Sequence, residues 1–334
     1  MIRRPVVTLC TPLLVTCLLS APLAAQGKGT TKLEIQVGEQ VREYLLHVPR
    51  KYPPGGREKV PLVLMLHGRG SGKRQAASSY YGWVEMADKE GFIAAFPEAL
   101  GKPRSWKAAW GRESTDDGAF LAALIDELVK SYRIDPRRVF MTGHSSGGIM
   151  SFSFAATHSD KVAAIGPVAG TIGISRGKLK LTVPKPGRPV RVISFHGMAD
   201  KIVAYDANTK AAFPGLVSAP DSAAFWGRHN GGSEKPERKD ILDGKVHVDT
   251  WKGGKAGADV VFYSIEGGSH GWPRGETRAT ELIWAFFKQT RTSPGKSPSE
   301  SKKPTRVERG KGKGKGKRKG KGKDKLRTAA GSLR

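Results

Sequence analysis

Ser145 stands at the centre of a G-x-S-x-G motif, Gly143-His144-Ser145-Ser146-Gly147. A serine hydroxyl attacks a carbonyl carbon when a base takes its proton, and a carboxylate orients that base. The apolar run Val139–Thr142 leads into the motif and Gly148–Phe152 can open a helix. This order predicts a tight strand-to-helix turn that holds the serine above a helix N-terminus. We interpret Ser145 as a nucleophile; a turn with a purely structural role is the alternative.

An acid and a base follow two later strand-like runs. Asp200 comes shortly after the apolar run Val190–Phe195, and His270 comes shortly after Val260–Ile265. The chain order serine, acid, histidine is the order of catalytic triads built on a strand–turn–helix nucleophile. Asp206 is the alternative acid. The remaining histidines are less well placed, because they lie in strand-like segments, near helix ends or directly before the acid: His47, His247, His158, His229 and His196.

Two backbone N–H groups are needed to stabilise the negative charge of a tetrahedral intermediate. One candidate is Ser146, directly after the nucleophile. The other lies in the glycine-rich loop after the run Val60–Leu66, where we choose Arg69 and keep Gly70 as the alternative. We interpret His67, which opens this loop, as a residue that braces it rather than one that transfers protons.

Aromatic residues near these motifs are candidates for substrate contacts. Trp272 lies two residues after His270, where it can stack on an aromatic or sugar ring, and packing within its own loop is the alternative. Five other aromatic residues can line the acyl site or simply pack in the core, since aromatic side chains contribute much of the buried surface of any domain: Tyr80, Tyr81, Trp83, Trp106 and Trp110.

The elements around these motifs predict an α/β fold. Lys32–Val37 and Arg42–Val48 alternate apolar and polar residues, as in an antiparallel hairpin. The run VPLVLML at Val60–Leu66 is apolar throughout, as in a strand buried on both faces. Five more such runs follow, at Phe92–Phe96, Val139–Thr142, Val162–Ile165 and the two runs before the acid and base. Amphipathic helices are expected over Gly118–Tyr132 and Glu281–Gln289. The pattern predicts a mostly parallel central sheet with helices on both faces and an N-terminal antiparallel hairpin.

The charge of the chain is concentrated at its C-terminal end. The 334 residues include 57 Lys and Arg against 30 Asp and Glu, and Arg291–Arg334 holds 17 of these basic residues but only 3 acidic ones. This imbalance excludes a chain that is a basic nucleic-acid-binding domain throughout. We place a catalytic domain at residues 27–291 and a disordered Lys/Gly-rich tail at 292–334. The tail is expected to bind polyanions such as acidic polysaccharide or an anionic surface, with a solvated tail as the alternative. Because it contains no aromatic residue to stack on bases, no sequence-specific nucleic-acid binding is expected.

The first residues have the composition of a secretory signal. Two arginines near the start are followed by the apolar run Pro5–Ser20 and by small residues up to Ala25, which predicts a signal peptide over 1–25 and a secreted (extracellular or periplasmic) protein. A lipid anchor at Cys17 is the alternative. Both cysteines, Cys10 and Cys17, lie in this segment, so no disulfide and no thiolate metal site is expected after cleavage. No later apolar run is long enough to predict a transmembrane segment.

Several motifs together resemble the secreted esterase family that includes polyhydroxybutyrate depolymerases and the related feruloyl and acetylxylan esterases. The resemblance is carried by LMLHG at Leu64–Gly68, DDGAFLAALIDEL at Asp116–Leu128, DPRRVFMTGHSSGGIM at Asp135–Met150, HGMADKIVAY at His196–Tyr205 and GGSHGWP at Gly267–Pro273. It implies an α/β-hydrolase fold, a triad of Ser145, Asp200 and His270, and substrates that are esters of hydroxy or phenolic acids.

The chain departs from that family in its cysteines. Many relatives have a cysteine directly after the oxyanion His-Gly, where this chain has Arg69, and further cysteines in the stretch that here reads WKAAWGRES at Trp106–Ser114. The disulfide that shapes the pocket wall of those relatives is therefore absent. This departure concerns the choice of substrate more than the chemistry.

The sequence thus predicts a secreted serine carboxylesterase that needs no metal and no other cofactor. Feruloyl or acetyl esters on polysaccharide are placed ahead of polyhydroxyalkanoate, because the sequence shows no separate polymer-binding domain. A serine peptidase of the same fold is one alternative, although no domain that gates peptides is evident. A non-catalytic polyanion-binding protein that works through its tail is another, and the complete triad argues against it.

Overall fold

The apolar runs of the sequence form the middle of one ten-stranded sheet. The computed structural model describes residues 28–52, 58–111, 115–207 and 210–290. The predicted signal peptide (1–25) and tail (292–334) lie outside the described residues. In chain order the strands are β1 (Gly29–Val37), β2 (Gln40–Val48), β3 (Val60–Leu66), β4 (Ile93–Pro97), β5 (Ile134–His144), β6 (Ala164–Val168), β7 (Gly173–Arg176), β8 (Leu179–Thr182), β9 (Arg191–Gly197), β10 (Glu237–Ile241), β11 (Val246–Trp251) and β12 (Val260–Ile265).

The large sheet is parallel in its centre and antiparallel at both edges. Its order is β1-β2-β4-β3-β5-β6-β9-β12-β11-β10, and β7 and β8 form a separate two-stranded ribbon. The six strands from β4 to β12 in this order run parallel. The hairpin β1–β2 adds to one edge and the hairpin β10–β11 to the other. The predicted mostly parallel sheet and the opening hairpin are confirmed.

Helices cover both faces of this sheet. They are α1 (Lys73–Ala76), α2 (Trp83–Glu90), α3 (Asp116–Ser131), α4 (Ser146–Thr157), α5 (Ala219–Asn230) and α6 (Ala279–Lys288). The alternation of side chains along β3 shows the two faces: Leu62 and Leu64 belong to the buried cluster of α3, α4 and α5, whereas Val63 and Met65 belong to that of α2 and α6. A strand with two buried faces is apolar at every position, as the sequence of β3 predicted.

Some boundaries differ from the sequence prediction for local reasons. Helix α3 begins two residues earlier than expected, at Asp116, because the Thr115 side chain accepts a hydrogen bond (3.1 Å) from the Gly118 amide and caps it. Strand β6 covers Ala164–Val168 rather than Val162–Ile165. Its Gly166 and Pro167 are residue types that strands disfavour, and they hid this part of the strand from the pattern.

Candidate active site

The turn between β5 and α4 holds Ser145 in a strained conformation. Its φ of 57° and ψ of −119° lie outside the regions that side chains ordinarily adopt. The neighbouring glycines allow the turn to close: a Cβ added to Gly147 would lie 2.2 Å from the carbonyl oxygen of Leu66, and one added to Gly143 would lie 2.5 Å from the backbone of Gly147. The predicted strand–turn–helix around the serine is present.

Replacing Gly147 with alanine is expected to destabilise the protein by about 1–3 kcal/mol or more, because the new methyl group meets backbone atoms that have nowhere to move. Chemical denaturation measures this change. Gly187→Ala is the matched control, since its Cβ would lie 3.4 Å from Ser159 Oγ, an ordinary contact. Equal effects of the two substitutions would contradict the close packing inferred for the turn.

Asp200 and His270, the predicted acid and base, are joined by a hydrogen bond. Nδ1 of His270 lies 2.7 Å from Oδ2 of Asp200, and the amides of Ile202 (2.8 Å) and Val203 (3.0 Å) donate to Oδ1. Asp200 is 1% exposed, and such burial alone raises the pKa of a carboxyl group. Hydrogen bonds from histidine and from these amides outweigh it and hold the pKa of Asp200 well below its usual range. The buried carboxylate is therefore ionised and fixed in position.

A second histidine packs against the same carboxylate. Nε2 of His196 lies 3.4 Å from Oδ2 of Asp200 and 2.8 Å from the carbonyl oxygen of Val203, and its ring is buried. The sequence analysis considered His196 only as a poor candidate base and missed its contact with the acid. The spacing of four residues after a strand was the only signal available. The alternative acid, Asp206, is exposed, and no hydrogen bond joins it to His270 in the described part of the chain.

The base and the glycine-rich loop both lie beside the serine turn. The rings of His144, next to the serine, and His270 have centroids 5.1 Å apart. A Cβ built on Gly68 would lie 3.6 Å from Cβ of Ser145, so this loop borders the serine directly. The Ser145 hydroxyl makes no hydrogen bond to any described side chain, and catalytic hydrogen bonds often tighten only when substrate is bound.

His144 differs from His270 in its surroundings. Its ring is largely buried, its Nδ1 lies 3.3 Å from the Tyr81 hydroxyl, and burial together with the nearby His270 lowers the pKa of His144 to about 4. A ring that stays neutral down to such acidity adds no positive charge beside His270 near neutral pH. It packs the wall of the turn rather than competing as a base.

The geometry separates the two candidates for the second oxyanion donor. The Gly70 amide donates to the carbonyl oxygen of Arg104 (2.8 Å), so it is already used. The Arg69 amide has no hydrogen-bond partner among the described residues. The Ser146 amide is the first of α4 and has no acceptor within that helix. The amides of Ser146 and Arg69 are therefore free of such acceptors, and their role as oxyanion donors stays a prediction.

His67 braces the loop that carries Arg69. The buried ring accepts a hydrogen bond at Nε2 from the Ala99 amide (3.0 Å), and its Nδ1 lies 2.7 Å from the Gly68 carbonyl oxygen. Trp106 donates from its indole nitrogen to the His67 carbonyl oxygen (3.0 Å). Because both ring nitrogens have backbone partners, this histidine supports the loop and is not free to transfer protons.

An ion-pair network holds the loop that follows β4. Lys73 contacts the carboxylates of Glu43 (2.6 Å) and Glu98, and Arg104 lies 3.2 Å from Glu98. The backbone of Glu98 is fixed in turn by Arg42, whose guanidinium donates to its carbonyl oxygen (3.1 Å). The segment after β4 is thereby fixed next to the glycine-rich loop, to which the Gly70–Arg104 hydrogen bond joins it.

Trp272 is mostly buried at the site. Its indole nitrogen donates to Oγ1 of Thr280 (2.9 Å), and its ring packs edge-on against Tyr81 at 5.0 Å. It also lines a groove of about 470 Å³ together with Tyr80 and Tyr81. Packing within the loop therefore accounts for most of its contacts, and its substrate contact stays a prediction. Trp83 and Trp106 are buried in the core rather than at the groove.

The described ranges contain neither a candidate metal cluster nor a candidate membrane-spanning helix. In residues 28–52, 58–111, 115–207 and 210–290 no group of three or more His, Cys, Asp or Glu side chains is placed to hold a metal ion. Over the same ranges no helix has both the length and the apolar composition needed to cross a membrane.

Comparison with known proteins identifies related sequences. The profile of the family described as Esterase PHB depolymerase matches residues 44–179. The putative esterase NocK of Nocardia uniformis subsp. tsuyamanensis is 30% identical over 272 residues, which are 74% of this chain and 75% of that protein. The probable feruloyl esterase C of Aspergillus terreus is 25% identical over 255 residues, or 74% of this chain and 83% of that protein.

Solved structures share the fold. An acetyl xylan esterase from Aspergillus awamori superimposes with a TM-score of 0.57 at 14% identity, over 77% of this chain and 99% of that chain. A thermostable esterase superimposes with a TM-score of 0.51 at 20% identity, over 78% of this chain and 63% of that chain. The predicted α/β-hydrolase fold is confirmed.

Proposed function

The chain belongs to the family of PHB depolymerase and feruloyl-esterase-like esterases and is a carboxylic ester hydrolase, and from this premise we propose that it works by a serine acyl-enzyme mechanism. The observation that carries the proposal is the 2.7 Å hydrogen bond between His270 and the buried Asp200, beside the strained turn of Ser145. This is the arrangement that turns a serine hydroxyl into a nucleophile.

The proposed reaction has two halves. Oγ of Ser145 attacks the ester carbonyl carbon while Nε2 of His270 takes the hydroxyl proton, and Asp200 holds the imidazole orientation and stabilises its positive charge. The amides of Ser146 and Arg69 donate to the developing oxyanion. The imidazolium then protonates the leaving alcohol as the carbon–oxygen bond breaks. Water, deprotonated by the same imidazole, releases the acid from the serine.

The proposed substrates are feruloyl or acetyl esters carried on polysaccharide. The support is the similarity to a probable feruloyl esterase C and to the bifunctional acetylxylan esterase/xylanase XynS20E of Neocallimastix patriciarum, of which this chain spans 33% at 25% identity. Polyhydroxyalkanoate depolymerisation is the second candidate, and the match to the Esterase PHB depolymerase profile favours it.

We also propose that the protein is secreted and that its tail contacts polyanions. Support for secretion is the signal-like composition of residues 1–25, and support for polyanion binding is the excess of 17 basic over 3 acidic residues in Arg291–Arg334.

A fluorophosphonate probe tests the mechanism, because it phosphonylates only an activated serine. We expect mass spectrometry to find the probe on the peptide that contains Ser145, and no labelling of Ser145→Ala. Turnover of methyl ferulate, p-nitrophenyl acetate and a hydroxybutyrate oligomer then ranks the substrates. Hydrolysis that continues after exposure to the probe, with Ser145 unlabelled, would contradict the serine mechanism.

A further inference from the structure

The loops at the catalytic edge of the sheet are unusually basic. Five segments follow the carboxyl ends of the parallel strands, at 67–72, 98–111, 169–182, 198–217 and 266–278. Their 65 described residues include 11 Lys and Arg against 5 Asp and Glu, a net +6, whereas the other 188 described residues carry a net +4. The positive charge of the folded part is thus concentrated around the serine.

Three of the five carboxylates of these loops are bound by other groups, and Asp206 and Glu276 are exposed without an ion pair among the described residues. Glu98 is bound by Lys73 and Arg104, Asp200 is buried against His270, and Glu266 lies 3.1 Å from Nε2 of His247. Arg104 is the one of the eleven cations that forms an ion pair with a described carboxylate. The other ten are exposed, lie in all five loops and form no such ion pair; they include Arg69, Arg176, Lys178, Lys180, Lys201 and Arg274.

The ribbon of β7 and β8 presents three of these cations at the same edge. The Gly111 amide donates to the Thr182 carbonyl oxygen (3.0 Å), and the Ser175 amide donates to the Gly215 carbonyl oxygen (2.8 Å). These bonds fasten the ribbon to the loops that follow β4 and β9. Residues 169–182 contain Arg176, Lys178 and Lys180 but no carboxylate. Nothing within the ribbon offsets its charge.

Arg274 brings a cation close to the catalytic base. It follows His270 by four residues and lies over the ring of Tyr80, with Cζ 4.5 Å from the ring centroid. The Tyr80 hydroxyl accepts a hydrogen bond (3.3 Å) from the Trp272 amide, which fixes the ring under the guanidinium. A stacked guanidinium keeps its N–H groups free for a carboxylate or sulfate in the same plane. The groove of about 470 Å³ beside it gives such a group room.

We propose that the ester substrate is carried on an acidic polysaccharide, whose anionic groups bind the cations of this edge while an ester on the same chain reaches Ser145. The proposal rests on the esterase function argued above. A polyester of hydroxy acids is neutral and gains nothing from this charge, and nucleic acids carry no carboxylic ester. An anionic polymer is attracted to such an edge, which raises its local concentration and rate of association.

The test compares one ester on two polymers. Acetylated polygalacturonate is the anionic substrate and acetylated glucomannan the neutral one, and each kcat/KM is divided by that for p-nitrophenyl acetate. Two variants of the full chain are tested in 20 mM salt: the double substitution Lys178→Gln/Lys180→Gln and the single substitution Arg274→Gln. We expect each variant to lower the ratio for the anionic polymer about tenfold and to leave the ratio for the neutral polymer unchanged. In 0.5 M salt the wild-type preference should disappear, because salt screens exposed charges.

The control removes two exposed cations elsewhere, Lys130 at the end of α3 and Lys239 in β10. If Lys130→Gln/Lys239→Gln lowers the ratio as much as the ribbon variant, overall charge rather than this edge attracts the polymer, and the proposal is wrong. It is equally wrong if wild type hydrolyses p-nitrophenyl acetate but treats both polymers alike at low salt. If wild type hydrolyses none of the three substrates, the proposed function itself is wrong, and this inference with it.

Binding gives a readout that does not depend on turnover. The Ser145→Ala protein is run in gels that contain polygalacturonate or glucomannan, with and without the ribbon substitutions. We expect polygalacturonate to retard it more than glucomannan, and the ribbon substitutions to reduce that retardation more than the control substitutions do. Equal retardation of the ribbon and control variants would contradict the proposal.

Discussion

Replacing Ser145 with alanine is expected to lower kcat for p-nitrophenyl acetate by about 10⁶-fold, the size of loss seen when the nucleophile of a serine hydrolase is removed. The proposed mechanism gives the hydroxyl a covalent role that no neighbouring group takes over. Alanine leaves the oxyanion amides and the binding surface in place, so KM and the thermal midpoint should stay close to wild type. Steady-state kinetics and a thermal melt measure both.

The adjacent serine provides a control with the same chemical change. Ser146 contributes its backbone amide to the proposed site, while its hydroxyl is buried without a hydrogen-bond partner in the described part of the chain. Ser146→Ala keeps that amide and should retain activity within a few-fold of wild type. If Ser146→Ala abolishes turnover while Ser145→Ala retains it, the nucleophile has been assigned to the wrong serine.

The central sheet was predictable because its strands are buried on both faces. A strand such as β3 has to be apolar throughout, and that pattern cannot be confused with a loop. The ribbon β7–β8 gives no such signal, since Arg176, Leu179 and Lys180 are exposed and the ribbon is held by backbone bonds to distant loops. The hairpin β10–β11 gives no clear sequence signal for a similar reason, because β10 is exposed along most of its length.

In the site, too, the features that depend on local sequence were predictable, and those that depend on distant contacts were not. Ser145, Asp200 and His270 each follow a strand, and the carboxyl ends of parallel strands lie at the same edge of a sheet. The order of these residues in the chain was therefore enough to predict that they form one site. The choice between Gly70 and Arg69 depends on a hydrogen bond to Arg104, which lies 34 positions along the chain from Gly70. No local pattern encodes that contact. The contact of His196 with Asp200 likewise depends on how the loop after β9 folds back.

The loop that follows β4 is fixed by contacts between residues that lie far apart in the chain. Lys73 and Arg104 both contact the carboxylate of Glu98. Ion pairs of this kind link residues whose types are common everywhere in the sequence. The absence of cysteines from this segment is visible in the sequence, but its ion pairs are visible only in the structure.

Replacing Asp200 with asparagine is expected to lower kcat by about 10⁴-fold with little change in KM. Oδ1 accepts hydrogen bonds from the amides of Ile202 and Val203, so the oxygen of the new side chain has to stay at that position. Its NH₂ group then faces Nδ1 of His270 and requires an acceptor there. The imidazole proton moves to Nε2, and the nitrogen that has to take the serine proton no longer accepts it.

The alternative acid makes this prediction specific. Asp206 lies six residues further along, is exposed and does not contact His270, so Asp206→Asn should leave kcat within twofold of wild type. Kinetics near pH 8 compare the two variants, and labelling with the fluorophosphonate reports on the nucleophile in each. The label should react slowly with Asp200→Asn and at the normal rate with Asp206→Asn, because only the first substitution removes a working base from Ser145. Loss of activity in Asp206→Asn with retention in Asp200→Asn would reverse the assignment of the acid. It would also leave the 2.7 Å contact of Asp200 with His270 without a catalytic role.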